Sequence, residues 1–228
     1  MALTKYFQRT ALTAALVAGA VTLAPASLTS TPIASAAPSS VRSYPATLLV
    51  GDDPLVPLAL TALAQADIYG RTHSSATLLR MATARDAVAT AIAVRLGLDP
   101  VAMRQAWQNA DLAHQRVVLS AVSQMGVPYR RNALRPGVAF DCSGLTSWAW
   151  QQSGVALPRA SYRQIRAFER LTLADAQAGD LVYYPGHVML YLGTGNAIIH
   201  SPQPGDHVKV GTLSKGRARW VRVADPLA

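Results

Sequence analysis

This sequence predicts an α+β fold: helices packed on an antiparallel sheet, preceded by a small helical region. Three observations predict it. Apolar residues recur at helical spacing from Leu55 to the segment after Cys142. Past Gly179 the period changes to two. The short alternating runs that follow are separated by Gly, Pro and Asn turns. Helices first and strands afterwards define the class.

The elements follow in chain order. Lys5 and Arg9 precede an uncharged apolar run from Ala11 to Ala24, and a small-residue stretch ends Ala34-Ser35-Ala36. That order is the secretory pattern, so residues 1–36 read as a signal peptide cleaved after Ala36. The apolar run is short for a membrane span, and no later segment is long and apolar enough for one. Residues 37–54, rich in Pro, Ser and Asp, read as a linker. Residues 55–110 read as a helical region of two to four helices without visible chemistry. Ala84, Ala87, Val88, Ala91 and Ile92 give it an apolar stripe, and Asp99-Pro100 marks a helix start.

Residues 111–228 form the second, larger unit. A helix is predicted from Asp111 to Met125, with Val118, Val122 and Met125 on one stripe and Gly126 ending it. Leu145, Trp148, Ala149 and Gln152 mark a helix that begins at or just after Cys142 and stops at Gly154. Ser161 and Gln164 have the spacing of a capping box for a further short helix. Strands are predicted at 180–184, 187–192, 197–201, 208–210 and 220–223.

Composition narrows the function. The formal net charge is +9, and loss of Lys5 and Arg9 with the signal leaves +7. A basic exported protein suits an anionic surface such as cell wall. No nucleic-acid-binding motif is visible. The chain has one cysteine, Cys142. A lone thiol in an oxidising compartment has no intramolecular partner, which directs attention to its reactivity.

A reactive thiol needs a field that lowers its pKa, a base, and a group that orients the base. At the amino-terminal end of a helix, free N–H groups and the helix dipole favour a thiolate and can hold an oxyanion. Of the five histidines, His73 and His114 lie in helical segments and read as surface or satisfied core residues. His207, in a Pro-Gly-Asp loop, reads as exposed. His187 and His200 each sit at the edge of a predicted strand, flanking Gly193-Thr194-Gly195. With Gly193-Thr194 central in the turn, the two histidines lie opposite each other; with Thr194-Gly195 central, they are diagonal. Both registers put them on one face, where one imidazole can act as base and the other can orient it. The pair could instead ligate a metal, but no third ligand is evident and Cys142 has no C-x-x-C partner. The reading therefore calls for no metal and no cofactor.

Val127-Pro128-Tyr129, Phe140-Asp141-Cys142-Ser143-Gly144-Leu145, Leu157-Pro158-Arg159-Ala160-Ser161, Ala178-Gly179-Asp180-Leu181-Val182, His187-Val188-Met189-Leu190-Tyr191-Leu192-Gly193 and Ile199-His200 occur in the order of one family. Together they closely resemble the NlpC-type family of papain-like bacterial cell-wall endopeptidases, over roughly residues 112–225. The resemblance implies a papain-like fold with Cys142 as nucleophile, His187 as base and His200 as the third polar residue. It implies that Tyr129 lies near the thiolate and oxyanion. Asp141 and Ser143 match positions that bind the free amine and backbone of the substrate, and Arg159 and Ser161 match the groove lining. Asp141 and Ser161 also read as helix caps. The chain departs from the pattern after Tyr129: Arg130-Arg131-Asn132-Ala133-Leu134-Arg135-Pro136-Gly137 replaces an aromatic and two glycines. Met189 stands where a small residue is usual and points the same way as His187.

The resemblance implies a peptidoglycan endopeptidase; the signal-like start and basic charge make a secreted or cell-wall-associated protein the expectation, and a monomer is expected. Its substrate would be the bond from D-glutamate, through the γ-carboxyl, to the diamino acid of the stem peptide. Two alternatives stand beside it. One is a non-hydrolytic wall-binding or scaffold protein; the other is an acyl transferase or lipid hydrolase on the same fold.

Overall fold

The computed structural model describes residues 53–228. The predicted signal peptide and all but the last two residues of the predicted linker lie outside the described residues. The architecture is the expected α+β arrangement, helices on an antiparallel sheet with further helices ahead of it. No described helix is long and apolar enough to cross a membrane.

Three helices open the described chain: α1 (Leu55–Thr72), α2 (Ser75–Leu96) and α3 (Pro100–Asn109). Asp53 is the anchor of the first. Its carboxylate accepts the Leu55 N–H and pairs with Arg95 at 2.7 and 2.9 Å, tying the start of α1 to the end of α2. Ser74 caps α2, and Gly97 ends it in the left-handed region. Asp99 caps α3 with Pro100 at the first helical position, as predicted. The α2 stripe is a correction. The buried positions are Thr77, Met81, Arg85, Val88, Ala89, Ile92 and Ala93, while Ala87 is exposed. Alanine on every side of the helix leaves little contrast to fix the rotation. The buried Arg85 is satisfied by Asp86 and by Gln115 of the next helix.

That next helix, α4 (Leu112–Val122), is capped by Asp111 and, apart from Arg116, buried from His114 to its end. Behind it, α5 (Cys142–Gln151) begins one residue after its N-cap Asp141. Between them Leu134–Arg135 (β1) and Ala139–Phe140 (β2) form a small hairpin. A short helix α6 (Ser161–Gln164) leads to a six-stranded antiparallel sheet of order β3-β8-β4-β5-β6-β7. Its strands are β3 (Arg170–Leu171), β4 (Leu181–Tyr184), β5 (His187–Tyr191), β6 (Ala197–His200), β7 (Lys209–Thr212) and β8 (Arg222–Ala224). A final turn of helix, α7 (Lys215–Ala218), precedes β8.

The sheet has two apolar faces. Leu181, Val188, Leu190 and Ile199 join the main core with α1 to α5. Val182, Met189, Tyr191, Ile198, Leu213 and Val223 form a smaller cluster on the other side. One buried core runs from Leu63 and Ile92 through Trp107 to Leu190. Trp107, fully buried, donates its indole N–H to the Leu192 carbonyl at 2.9 Å, joining α3 to the end of β5. Where a fully buried indole also finds a hydrogen-bond partner, both its area and its polar edge are satisfied.

His114 is a satisfied core residue, and an unusual one. Its Nδ1 meets Asp111 Oδ2 at 2.8 Å, and its Nε2 meets Asp180 Oδ1 at 3.0 Å and Asp225 Oδ1 at 3.1 Å. Burial opposes a charge on the ring, but the hydrogen bond to Asp180 and the charges of Asp111, Asp225 and Asp180 outweigh it and raise the pKa. The ring stacks edge-on against Trp150. Gly179 (φ 107°) passes so close that a Cβ there would stand 3.0 Å from His114 Cδ2. The clasp binds α4 to the entrance of β4 and the exit of β8.

Candidate active site

Asp141 accepts the Gly144 N–H at 2.6 Å and so starts α5 with Cys142 as its first residue. The helix then runs into the core on Leu145, Ala149 and Trp150, packed against α4 and β5. Cys142 is half-buried at the mouth of a cleft of about 570 Å³. Burial raises its thiol pKa; the N–H groups of Val188 and Ser143 facing the sulfur pull the other way, and Asp141 adds to the rise. The resting group is therefore a thiol at neutral pH.

His187 begins β5, and Val188, the residue after it, is the one that addresses the sulfur. The β5–β6 hairpin pairs Leu190 with Ile199 and Tyr191 with Ile198. That is the register with Thr194-Gly195 central, so His187 and His200 are diagonal and share a face. Their rings meet: His187 Nε2 lies 2.9 Å from His200 Nδ1. Burial first, then the neighbouring cations, lowers both pKa values to about 4. The cations are His200 and Arg217 for His187, and Lys209 for His200, with Asp206 opposing. Both imidazoles are neutral at pH 7. Neither hydrogen-bonds the Cys142 sulfur; the geometry brings the histidines together and sets the thiol beside the strand that carries His187.

The remaining sequence-predicted residues gather around the cleft, which Tyr129, Asp141, Ser143, Arg159 and Ser161 all line. The phenol of Tyr129 is raised in pKa by burial and by the nearby Cys142 and Asp141, so it stays a proton donor. Arg159 clamps Asp141 through both oxygens at 2.9 and 2.7 Å, and also donates to Ser143 Oγ at 2.8 Å and to the Ala133 carbonyl at 3.2 Å. The capping box does not form. Ala160 is the N-cap of α6 and no side chain caps it. Gln164, assigned to that box, turns inward and bonds the Ser143 carbonyl, Thr146 and Ser147 of α5. Its amide bonds more groups inside the core than one cap position offers.

Met189 does share a face with His187, but it is buried in the second apolar cluster and lines a separate cavity of about 260 Å³ with His200 and Arg217. It does not line the Cys142 cleft. The arginine-rich loop does, through Arg131 and Asn132. No local pattern marks Gln164 or His114 as framework groups, because Gln164 bonds residues 17 to 21 positions away and His114 reaches Asp180, 66 positions away, and Asp225 beyond it.

A thiol at a helix start and a tyrosine donor line one cleft, and two neutral imidazoles in contact stand on the neighbouring strands. Residues 126–223 match the model of the NlpC/P60 family, and this part of the chain is a domain of that family. A probable endopeptidase of Corynebacterium glutamicum is 43% identical over 102 residues, covering 43% of this chain and 47% of that protein. Peptidoglycan endopeptidase RipB of Mycobacterium tuberculosis is 40% identical over 113 residues, covering 42% of this chain and 47% of that protein. The NlpC/p60 domain of the peptidoglycan hydrolase SagA superposes with a TM-score of 0.43 at 32% identity, over 49% of this chain and 97% of that one. The chain spans less than half the length of the curated relatives it matches.

Proposed function

We propose that this protein is a secreted, cell-wall-associated cysteine endopeptidase that hydrolyses the D-γ-glutamyl–diamino acid bond of peptidoglycan stem peptides. The observation that carries the reading is the 2.9 Å contact between His187 Nε2 and His200 Nδ1, on paired strands of which the first lies beside a helix-start cysteine. A base needs a lone pair facing the thiol. With Nε2–H donating to His200, His187 keeps that lone pair on Nδ1, and His200 fixes the tautomer.

The reaction then follows from the resting states. Substrate entry displaces water and brings the thiol and Nδ1 of His187 into reach; such bonds are often long before substrate binds. Nδ1 takes the thiol proton as sulfur attacks the γ-carbonyl. The oxyanion is met by N–H groups at the start of α5 and by the Tyr129 hydroxyl. The imidazolium returns its proton to the leaving amine of the diamino acid, and water, deprotonated by the same nitrogen, hydrolyses the thioester. Asp141, Ser143 and Arg159 hold the acyl-side peptide, and Ser161 edges the groove. The net positive charge favours approach to an anionic wall.

The test is digestion of purified peptidoglycan and of a defined tetrapeptide stem, with products identified by mass spectrometry. Wild type should release fragments ending in D-glutamate, and Cys142→Ala should release none. Full activity in Cys142→Ala would sink the proposal.

A further inference from the structure

The loop that departs from the family pattern carries a charge into the cleft. Arg130 to Ala133 is a tight turn, closed by the Ala133 N–H donating to the Arg130 carbonyl at 3.1 Å. Its third residue, Asn132, sits at φ 61°, a left-handed conformation that asparagine tolerates better than other side chains. Arg131 is at the tip. Both ends of the turn are pinned. The Arg130 N–H donates to Phe140 at 3.0 Å, and the Ala133 carbonyl accepts from the Asp141 N–H at 3.0 Å and from Arg159. The tip is therefore held against the first turn of α5 and is not free to swing away.

Charge balance at the cleft gives this position meaning. Arg159 is bound through both nitrogens to Asp141, so those two cancel. No ion pair or side-chain hydrogen bond engages Arg131 among the described residues, and it lines the cleft beside Tyr129 and Cys142. One cation without an ion-pair partner thus lines the cleft beside Cys142, on the side where the endopeptidase reading puts the acyl-side residue of the substrate. A γ-linked glutamyl residue presents an anion there. Because its side-chain carboxyl forms the peptide bond, its α-carboxyl is left free unless it is amidated.

We propose that Arg131 is a specificity-determining residue that pairs with this α-carboxylate, so that the protein cleaves stems with a free D-glutamyl α-carboxyl in preference to those carrying the amide. The inference rests on the endopeptidase reading above. Arg131 is exposed at the cleft rim, so the preference it supplies is modest, roughly five-fold to ten-fold in kcat/KM. It is also sensitive to screening, unlike a contribution from shape.

The experiment compares kcat/KM for L-alanyl-γ-D-glutamyl-diamino acid and its α-amide, with wild type, Arg131→Gln and Arg131→Lys, at low and high ionic strength. The expected result is an acid-over-amide preference in wild type that shrinks with salt, is abolished in Arg131→Gln and is partly kept in Arg131→Lys. An equal acid-to-amide ratio in wild type and Arg131→Gln would overturn the assignment, as would a wild type without preference. Hydrolysis of neither substrate by wild type would overturn the endopeptidase reading, and this one with it.

Discussion

Gly144, the third residue of α5, is the position where helix propensity and packing disagree most sharply. Replacing a helical glycine by alanine ordinarily stabilises by up to about 1 kcal/mol. Here the added Cβ would stand 2.1 Å from the Ala133 carbonyl oxygen and 3.0 Å from Asp141 Oδ1. To reach even a tight contact, the carbonyl must retreat by roughly 1 Å, and close-packed interiors resist such shifts. That carbonyl accepts from the Asp141 N–H at 3.0 Å and from Arg159 at 3.2 Å. Weakening both bonds costs about 1 kcal/mol each, and overpacking adds about 1–3 kcal/mol. The clash wins: Gly144→Ala should be destabilised by about 2 kcal/mol or more net. Urea unfolding reads this as a midpoint lowered by roughly 1 M. The same displacement moves the start of α5, where Cys142 sits, so endopeptidase activity should fall by roughly 100-fold. A variant as stable as wild type, or more so, would refute the reasoning. It would mean that the Ala133 turn yields freely, and with it the fixed position of Arg131.

Three further expectations follow from the histidines. His200→Ala should lower kcat by roughly 100-fold with little change in KM, since it acts through His187, and His200→Asn should recover part of the loss; an equal rise in KM would point to substrate contact instead. His187 and His200, held near pKa about 4 when folded and near 6.5 when unfolded, bind fewer protons in the native state across that window. Stability is therefore fully present above about pH 6.5 and is lost as pH falls toward 4; urea midpoints should drop less steeply in His200→Gln than in wild type, and equal slopes would contradict the assignment. His114 has the opposite sign: its raised pKa contributes stability below about 6.5 that is lost as pH rises through the folded value. Its replacement by Ala strands Asp180 in the core and should cost about 3 kcal/mol by chemical unfolding, whereas a surface-like loss would show that the clasp carries nothing.

The legible parts of this protein are those written in local pattern. Short apolar runs bounded by Gly, Pro and Asn turns after Gly179 located β4, β5 and β6 to within a residue, because strands buried on both faces of the sheet are apolar along most of their length. The diad was legible as a shared face, since either turn register preserves the two-residue period; which register forms was decided by Leu190 meeting Ile199. Asp99 and Asp141 announced helix starts through their capping chemistry. Rotation of α2 was not legible, because methyl groups surround it. The two-residue strands β1 and β3 are too short to show a period. Gln164 and His114 were hidden for another reason: their partners come from distant segments, and a short-range signal (the capping-box spacing) pointed elsewhere.

Trp107 binding the Leu192 carbonyl has a bearing on how such a protein could be switched. A removable inhibitory segment must leave without taking the interior with it. The helices before residue 111 supply Leu63, Ile92, Met103 and Trp107 to the same interior that Leu190 and Leu192 enter from the sheet. Cutting the chain at that point would open a hydrophobic wound beneath the strand that carries His187. For this molecule, excision of the leading helices is a route to denaturation.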